Sequence, residues 1–258
     1  MDLKIEKQLF IITGASSGLG NAVAKALLEN GANVLAVARR EAPLKELSDR
    51  YPGAVDPICA DILQDQSIQM IIEAIGGREL AGVFVNAGGP PAMSFQETAL
   101  KDWDEAYKLL VRWKVALVHS LIPFFKKNAY GRILFSESST IKQPIENLVL
   151  SNSLRMAVAG IAKTLSLELA GKGITVNVIG PGFHETDAVG RLFVKKSELE
   201  GISVEEARKI MLDSIPTGTI GDPEDFASLA SWLLSPLSAF VTGQVYTLDG
   251  GTTKQSLG

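Results

Sequence analysis

The glycine-rich stretch 13–20, Thr-Gly-Ala-Ser-Ser-Gly-Leu-Gly, constrains the fold more than any other part of the sequence. It follows the apolar residues 8–12, whose composition is typical of a buried parallel strand. It precedes residues 21–29, where alanine, valine and leucine recur at helical spacing. The sequence therefore predicts a strand, a glycine turn and a helix in direct succession.

Three glycines in this stretch suit the binding of a pyrophosphate. Gly14, Gly18 and Gly20 let the backbone turn tightly, approach a phosphate closely and pack the helix on the strand. The free N–H groups and the positive dipole end of the helix would face the anion. The spacing Gly-x-x-x-Gly-x-Gly differs from the commoner Gly-x-Gly-x-x-Gly, and a plain tight turn would also explain three glycines.

Strands and helices alternate along the remainder of the chain. Apolar runs predict further strands over residues 33–38, 55–60, 83–85, 132–136, 175–179 and 244–248. Helical spacing predicts helices over residues 43–50, 64–75, 100–109, 110–127, 151–170, 204–212 and 223–234. This alternation is typical of the α/β class, a doubly wound parallel sheet with helices on both faces. Ligands of such sheets bind at the carboxyl ends of the strands.

Composition indicates one soluble domain. No linker rich in Pro, Gly or Ser, no charge block and no low-complexity tract divides residues 1–258, so we expect a single domain. A net charge of -4 does not indicate binding to nucleic acid or to anionic lipid. The N-terminus lacks the apolar core of a signal peptide, and the apolar stretch 115–125 is too short to span a bilayer. We therefore expect a cytoplasmic protein without a nucleic-acid or membrane partner.

Cys59 is the only cysteine in the sequence. Internal disulfides and zinc sites built from several cysteines are therefore excluded, and we expect no metal. The position of Cys59 between Ile58 and Ala60 predicts a buried, small hydrophobic side chain.

Landmarks beyond the glycine turn occur in a characteristic order. They are Asn86-Ala87-Gly88, Gly131-Arg132-Ile133, Ser138, Asn177, Pro181-Gly182, Thr186, Gly221, Pro223-Glu224-Asp225, Gly243 and Asp249-Gly250-Gly251. With these landmarks the chain resembles the short-chain dehydrogenase/reductase family, and within it the 3-oxoacyl carrier-protein reductases. The resemblance implies a Rossmann-type sheet of seven strands, a nicotinamide dinucleotide and a small-molecule carbonyl or alcohol substrate. It also implies a homotetramer or homodimer joined through helices 110–127 and 151–170.

The resemblance further implies which residues hold the dinucleotide. They are Gly14, Ser16, Ser17, Gly18, Leu19, Gly20, Arg39, Arg40, Asp61, Ile62, Asn86, Ala87, Gly88, Arg155, Pro181, Gly182 and Thr186. Among them, Asp61 and Ile62 resemble the pair that flanks the adenine.

The charge at the end of the second predicted strand favours NADP(H) over NAD(H). In the family an acidic residue there binds the adenosine ribose of NAD, whereas this chain has Ala38 followed by Arg39 and Arg40. A carboxylate repels the 2′-phosphate of NADP, and a guanidinium pairs with it through two hydrogen bonds. The alternative is that both arginines merely open a solvated helix.

The active centre implied by the resemblance departs from the family pattern. The family tetrad is Asn, Ser, Tyr and Lys, with Tyr thirteen positions after Ser and Lys four positions after Tyr. Counting from Ser138 places Ser151 at the tyrosine position and Arg155 at the lysine position. The asparagine position falls on Leu110. Ser138, Ser151 and Arg155 are therefore the candidate catalytic residues, and only the first of them matches the family.

These substitutions affect proton transfer, since the hydride belongs to the cofactor. A tyrosine beside an ammonium group can exchange a proton near neutral pH. The Ser151 hydroxyl is a far weaker acid, and Arg155 stays charged, so binding is better supported than turnover. Three functions remain open. They are an NADP(H)-dependent oxidoreductase, a nucleotide-binding protein without turnover, such as a redox sensor or partner subunit, and a scaffold that binds no nucleotide.

His184 and Glu137 are candidate replacements for the missing proton donor. A histidine beside the nicotinamide segment would titrate near neutrality, and Glu137 directly precedes Ser138. The structural alternatives are a histidine in a surface loop and a glutamate directed to the opposite face of the strand end.

Residues 186–216 interrupt the regular alternation of strands and helices. In family members the equivalent insertion closes over substrate, so we expect a substrate lid here. Phe183, Val189, Leu192 and Phe193 suggest an apolar lining. An amphipathic helix packed on the body of the protein would show the same pattern.

Overall fold

Seven parallel strands form a single sheet in the computed structural model, which describes residues 1–256 apart from the side chains at positions 188, 195 and 199. The strands are β1 (Leu9–Thr13), β2 (Asn33–Ala38), β3 (Val55–Cys59), β4 (Leu80–Val85), β5 (Gly131–Ser136), β6 (Ile174–Pro181) and β7 (Val245–Leu248). Their order across the sheet is β3-β2-β1-β4-β5-β6-β7. The direction of winding reverses between β1 and β4, so a crevice lies at the carboxyl ends of these two strands.

Helices pack on both faces of the sheet. They are α1 (Gly18–Glu29), α2 (Glu41–Arg50), α3 (Asp65–Ile75), α4 (Leu100–Tyr107), α5 (Trp113–Asn128), α6 (Val149–Leu169), α7 (Asp187–Glu200), α8 (Val204–Asp213) and α9 (Pro223–Leu234). One buried core joins the sheet to α3, α5 and α6, and a second joins it to α1, α2 and α9. Within residues 1–256, no helix is both long enough and apolar enough to cross a bilayer.

Side chains of β1 alternate between the two cores. Leu9 and Ile11 enter the first core, whereas Phe10 and Ile12 enter the second. A strand with helices on both faces is apolar at every position, which explains the uninterrupted apolar run in the sequence. The buried run places Thr13 and the glycine turn at the crevice.

The predicted fold is confirmed as a seven-stranded, parallel, doubly wound sheet in a single Rossmann-type domain. Most predicted elements agree with the structure within two residues. The exceptions include β4, which begins at Leu80 rather than at residue 83. Gly82 interrupts the apolar pattern of this strand, and a Cβ added there would lie 2.8 Å from the carbonyl oxygen of Arg132. Close approach of the neighbouring backbone therefore selects the glycine that obscures the strand in the sequence.

The two predicted helices 100–109 and 110–127 form one continuous helical segment. A π-helical turn, Lys108–Arg112, lies between α4 and α5. Within this turn the carbonyl oxygen of Leu109 accepts a hydrogen bond of 2.7 Å from Nε1 of Trp113. Local widening of a helix in this way is frequent near functional sites. The predicted boundary between the two helices falls inside the turn.

The expectation that Cys59 is buried is wrong, because its side chain is exposed. β3 is an outer strand of the sheet, and Asp56 and Pro57 are exposed along it as well. Val55 and Ile58 supply the buried positions of this strand. An outer strand is covered less completely than a central one. Apolar neighbours in the sequence therefore do not ensure that Cys59 is buried.

A third and smaller core lies beneath α7 and α8. Val189 and Phe193 of α7 pack there with Ile215 and Ile220. α7 is not among the helices predicted by spacing, although the apolar pattern of the segment allows an amphipathic helix there. Burial of Val189 and Phe193 supports the alternative of an amphipathic helix packed on the body, while Leu192 is 45% exposed. The role of this segment as a substrate lid stays a prediction.

Gly173 directly precedes β6 and has a left-handed backbone conformation that a substitution can test. Its φ is +75°, and an added Cβ would lie 2.1 Å from the carbonyl oxygen of Ala129. We expect Gly173→Ala to lower the free energy of unfolding by about 3 kcal/mol, because left-handed strain and steric conflict combine. Urea denaturation followed by circular dichroism measures this change.

Gly171→Ala is the matched control, because nothing lies within 4 Å of a Cβ added at that position. We expect this variant to stay within about 0.5 kcal/mol of the wild-type stability. Equal losses in the two variants would contradict the geometric explanation.

Candidate active site

The glycine turn packs against the segment that follows β4. Gly14 has a φ of +68°, and a Cβ added there would lie 2.7 Å from Nδ2 of Asn86. Gly20 lies in the first turn of α1, where an added Cβ would lie 2.2 Å from the carbonyl oxygen of Gly14. Both positions therefore require glycine. The predicted succession of strand, glycine turn and helix is present.

Thr13 joins the ends of β1 and β4 at the crevice. Its Oγ1 accepts a hydrogen bond of 2.7 Å from the Asn86 N–H and donates one of 2.8 Å to the Asn86 carbonyl oxygen. Ala87 packs against the first core, and Gly88 is exposed, with no atom within 4 Å of an added Cβ. The strand ends are thus held together while the backbone at Gly88 stays open.

The N-terminus of α1 has donor groups that its own cap residue does not satisfy. Ser17 is the N-cap, and its side chain makes no hydrogen bond to the helix. Gly18, Leu19 and Gly20 form the first turn, where N–H groups have no intrahelical acceptor. Thr186, the N-cap of α7, lies against this turn, since its Cγ2 is 3.2 Å from a Cβ added at Gly18. This arrangement suits an anion.

Arg40 lies beside the glycine turn. Its Nε and Nη2 donate hydrogen bonds of 3.3 and 3.2 Å to Oγ of Ser16, and Nη2 also donates one of 3.2 Å to the Ser16 carbonyl oxygen. Arg39 and Arg40 are both exposed and directly follow Ala38, the last residue of β2. Positive charge therefore borders the glycine turn on the β2 side.

The other predicted dinucleotide residues lie along the same edge of the sheet. Asp61 and Ile62 follow β3, where the Asp61 carboxylate accepts a main-chain hydrogen bond of 3.1 Å. Pro181 ends β6, and the Gly182 N–H donates a hydrogen bond of 2.9 Å to the carbonyl oxygen of Leu248. Because all the strands are parallel, these turns meet at one edge with the glycine turn.

Ser151 and Arg155 lie on one face of α6, and both are buried. Nε of Arg155 donates a hydrogen bond of 3.0 Å to Oγ of Ser151. Nη1 of Arg155 donates one of 2.9 Å to the carbonyl oxygen of Glu137. Ser138 follows directly, and its Oγ accepts a hydrogen bond of 3.2 Å from the Thr140 N–H. The guanidinium therefore connects Ser151 to the end of β5, where Ser138 lies.

A buried network of three charges adjoins the two serines. The Glu137 carboxylate accepts a hydrogen bond of 3.2 Å from Nη1 of Arg155 and another from the ammonium of Lys114 in α5. The exposed fractions of the side chains are 2% for Lys114, 0% for Glu137 and 10% for Arg155. Burial lowers the pKa of Lys114, the Glu137 carboxylate opposes this shift, and the charge of Arg155 adds to it.

The sequence pattern alone does not single out Lys114. It lies one helical turn after Leu110, the position of the family asparagine, and Leu110 is 1% exposed. Two signals were available in the sequence. A glutamate at the end of a buried strand requires a cationic partner, and residues four apart on a helix share a face.

His184 is packed in the interior, so the alternative of a surface-loop histidine is wrong. Its side chain is 4% exposed and meets the Phe226 ring edge-on, with 5.7 Å between ring centroids. Nδ1 lies 3.2 Å from the carbonyl oxygen of Gly182. Burial lowers the pKa of His184 below its ordinary value, although the Gly182 carbonyl opposes the shift. The imidazole is therefore neutral at pH 7.

The order of the parallel sheet, the glycine turn and the open helix N-terminus together define a Rossmann-type domain. A family profile described as "Enoyl-(Acyl carrier protein) reductase" matches residues 14–253, which is most of the chain. The protein therefore belongs to the short-chain dehydrogenase/reductase family, as its landmarks indicate.

Individual relatives share about a quarter of their residues with this chain. It is 28% identical to a 3-oxoacyl-[acyl-carrier-protein] reductase of Vibrio cholerae, over 96% of this chain and 98% of the relative. It is 26% identical to the NADPH-dependent reductase BacG of Bacillus subtilis, over 97% and 99% of the two chains. The structure of an L-sorbose reductase from Gluconobacter frateurii, complexed with NADPH and L-sorbose, superposes with a TM-score of 0.92 at 26% identity, covering 99% of this chain and all of the other.

The lowered pKa of His184 gives a prediction for stability against pH. The folded state binds this proton less readily than the unfolded state, in which the pKa is about 6.5. The contribution of neutral His184 is therefore complete above that pH and is lost as the pH falls through the lower pKa of the folded state. We expect the Tm of the wild type to fall more steeply below about pH 6.5 than that of His184→Asn, which cannot titrate.

Differential scanning fluorimetry across acidic pH measures both Tm curves. His119→Asn is the matched control, because His119 is exposed and is the other histidine of the chain. Its curve should follow that of the wild type. Parallel curves for the wild type and His184→Asn would contradict the assignment.

Proposed function

We propose that this protein is an NADP(H)-dependent oxidoreductase acting on a carbonyl or alcohol substrate, with an altered active site. The observation that carries this proposal is the state of the two serine hydroxyls. Ser151 Oγ accepts from Arg155, and Ser138 Oγ accepts from the Thr140 N–H. Each hydroxyl therefore keeps its O–H free to donate to a carbonyl oxygen.

The residues at the crevice fit a dinucleotide phosphate. Glycine is required at Gly14 and Gly20 by close contacts, and the first turn of α1 presents unsatisfied N–H groups suited to a pyrophosphate. Arg39 and Arg40 supply the charge that a 2′-phosphate requires. The predicted residues at the ends of the other strands would hold the remainder of the dinucleotide. When bound, NADPH would supply the hydride. The alcohol product also requires one proton, which would come from water that enters the crevice, because neither the serine hydroxyls nor Arg155 release a proton readily near neutral pH.

The side chains of the site orient substrate and stabilise charge. Donor hydroxyls on Ser138 and Ser151 would bind the carbonyl oxygen on which negative charge develops during reduction. Arg155 keeps its positive charge at working pH, so it stabilises that charge and orients Ser151 instead of transferring a proton. His184 packs against Phe226 and is neutral at pH 7, which supports a structural role for it.

The comparisons support a reductase acting on carbonyl compounds. The relatives include a 3-oxoacyl-[acyl-carrier-protein] reductase and an NADPH-dependent reductase, and a solved structure with NADPH is that of an L-sorbose reductase. These names favour NADP(H) and a carbonyl substrate for this protein too.

A second candidate function is nucleotide binding without turnover. Tyrosine and lysine are both absent between residues 143 and 162, so α6 lacks the proton-transferring pair of the family at its usual positions. Such a protein would act as a redox sensor or as the partner of an active subunit. A measurement of catalytic turnover distinguishes this candidate function from the oxidoreductase.

We also propose a homo-oligomer assembled through α5 and α6. These two helices form an apolar groove lined by Val118, Ile122, Ile161 and Leu165, among others. Val115 of α5 also lines this groove, and its side chain is exposed. Apolar surface of this kind is typical of a protein interface.

Arg40 tests the cofactor preference. We expect Arg40→Ala to weaken NADPH binding about tenfold and to leave NADH binding unchanged, because one charge-assisted contact to the 2′-phosphate is lost. Isothermal titration calorimetry measures both affinities. Arg50→Ala, at the far end of α2, is the control and should bind NADPH like the wild type. Equal affinity of the wild type for NADPH and NADH would refute the preference.

Turnover is tested by consumption of NADPH with a panel of carbonyl compounds that includes a 3-oxoacyl thioester and a ketose. We expect oxidation with at least one of them, and Ser138→Ala should lower kcat/KM about 100-fold through loss of a hydrogen-bond donor. Ser139→Ala, the neighbouring hydroxyl, is the control and should retain activity. NADPH binding without oxidation of any compound would favour the second candidate.

A further inference from the structure

Stability does not explain the buried network of Lys114, Glu137 and Arg155. Removing charged groups from water is costly, and replacing a buried ion pair by apolar residues of similar size is often neutral or stabilising. The network nevertheless places three charged side chains in the interior with exposed fractions of at most 10%. It also adjoins Ser151, a candidate catalytic residue. These facts point to a role in the site.

Glu137 holds one end of the Arg155 guanidinium at two points. Nη1 donates to the carboxylate at 3.2 Å and to the main-chain carbonyl oxygen of the same residue at 2.9 Å. Nε then meets Oγ of Ser151 at 3.0 Å. Nη2 points toward Gly89, which follows β4, because a Cβ added at Gly89 would lie 3.1 Å from Nη2. The guanidinium is therefore fixed in plane and in direction.

Lys114 sets the total charge of the network. With Glu137 and Arg155 alone, the opposite charges would cancel and the site would be neutral. The ammonium of Lys114 pairs with the same carboxylate, which opposes the fall in its pKa on burial, and in its protonated form it gives the network one net positive charge. Arg155 can then be held by an anion while the network as a whole still attracts the anionic cofactor.

We propose that Glu137 is a positioning residue that acts through Arg155, because it fixes the guanidinium between Ser151 and the dinucleotide crevice, and that Lys114 keeps the network positive. The proposal rests on the proposed function where it concerns cofactor binding. The fixed guanidinium itself is independent of that function.

The principal variant is Lys114→Met combined with Glu137→Leu, which removes two opposite charges and keeps similar side-chain volumes. In protein labelled with ¹⁵N-arginine, the Nε–Hε signal of Arg155 is identified by its loss in Arg155→Met. We expect this signal to be sharp and slow to exchange with water in the wild type. In the double variant it should broaden or exchange rapidly, and NADPH binding measured by calorimetry should weaken about tenfold.

The same double change made in the Arg155→Met background isolates the action through Arg155. There it should alter NADPH affinity less than twofold, because the guanidinium that it positions is absent. Equal fold losses with and without Arg155 would overturn the proposal. So would an unchanged Nε–Hε signal in the double variant. Lys45→Met with Asp49→Asn, an exposed ion pair on α2, is the control and should change neither measurement.

Lys114→Met alone keeps the proposal testable if the double variant does not fold. Glu137 still holds Arg155 in this variant, so the Nε–Hε signal should persist while NADPH affinity falls severalfold. Unchanged affinity would overturn the role of Lys114. If the wild type binds no NADPH but loses the Arg155 signal on removal of Glu137, the proposed function fails and the positioning of Arg155 stands.

Discussion

The hydroxyl of Thr13 is the contact on which the arrangement of the crevice depends. It both accepts from and donates to the main chain of Asn86, so the ends of β1 and β4 are held at a fixed separation where the winding of the sheet reverses. The glycine turn packs against Asn86 across this junction, and α1 begins directly after it. The helix N-terminus and the open backbone at Gly88 lie close to this connection in the chain, and Arg40 contacts Ser16 in the glycine turn that follows Thr13.

Charged groups in the candidate active site come from three elements of the fold. Where the resemblance implies a tyrosine and a lysine on one helix, this chain has a serine and an arginine there, and further charges come from α5 and from the end of β5. An arginine holds its proton far more firmly than a lysine, so it suits fixed electrostatic stabilisation. In the proposed function, α6 would therefore contribute hydrogen-bond direction and positive charge in place of proton exchange.

The fold could be predicted from the sequence because a central strand with helices on both faces is apolar at every position. Residues 9–12 show this pattern. The same reasoning failed for Cys59, because β3 is an outer strand and helices cover it only partly. The candidate catalytic positions followed from counted spacing. Lys114 could not be found by counting, because its role arises from a contact with Glu137, which is 23 positions away in the chain. The sequence indicates only that a buried Glu137 needs a cation and that position 114 shares a helix face with position 110, whereas the pairing itself is a property of the folded chain.

The π-helical turn between α4 and α5 determines the direction in which the side chains of α5 point relative to those of α4. Each residue of an α-helix advances the side-chain direction by about 100°. The π-helical turn Lys108–Arg112 fits one more residue into a turn than an α-helix does, so winding the same residues as regular α-helix would rotate α5 relative to α4 by about that angle. If α5 took up the rotation, Lys114 would leave the interior, and Glu137 would face Arg155 alone. The extra residue in the turn is therefore part of what aims the ammonium group.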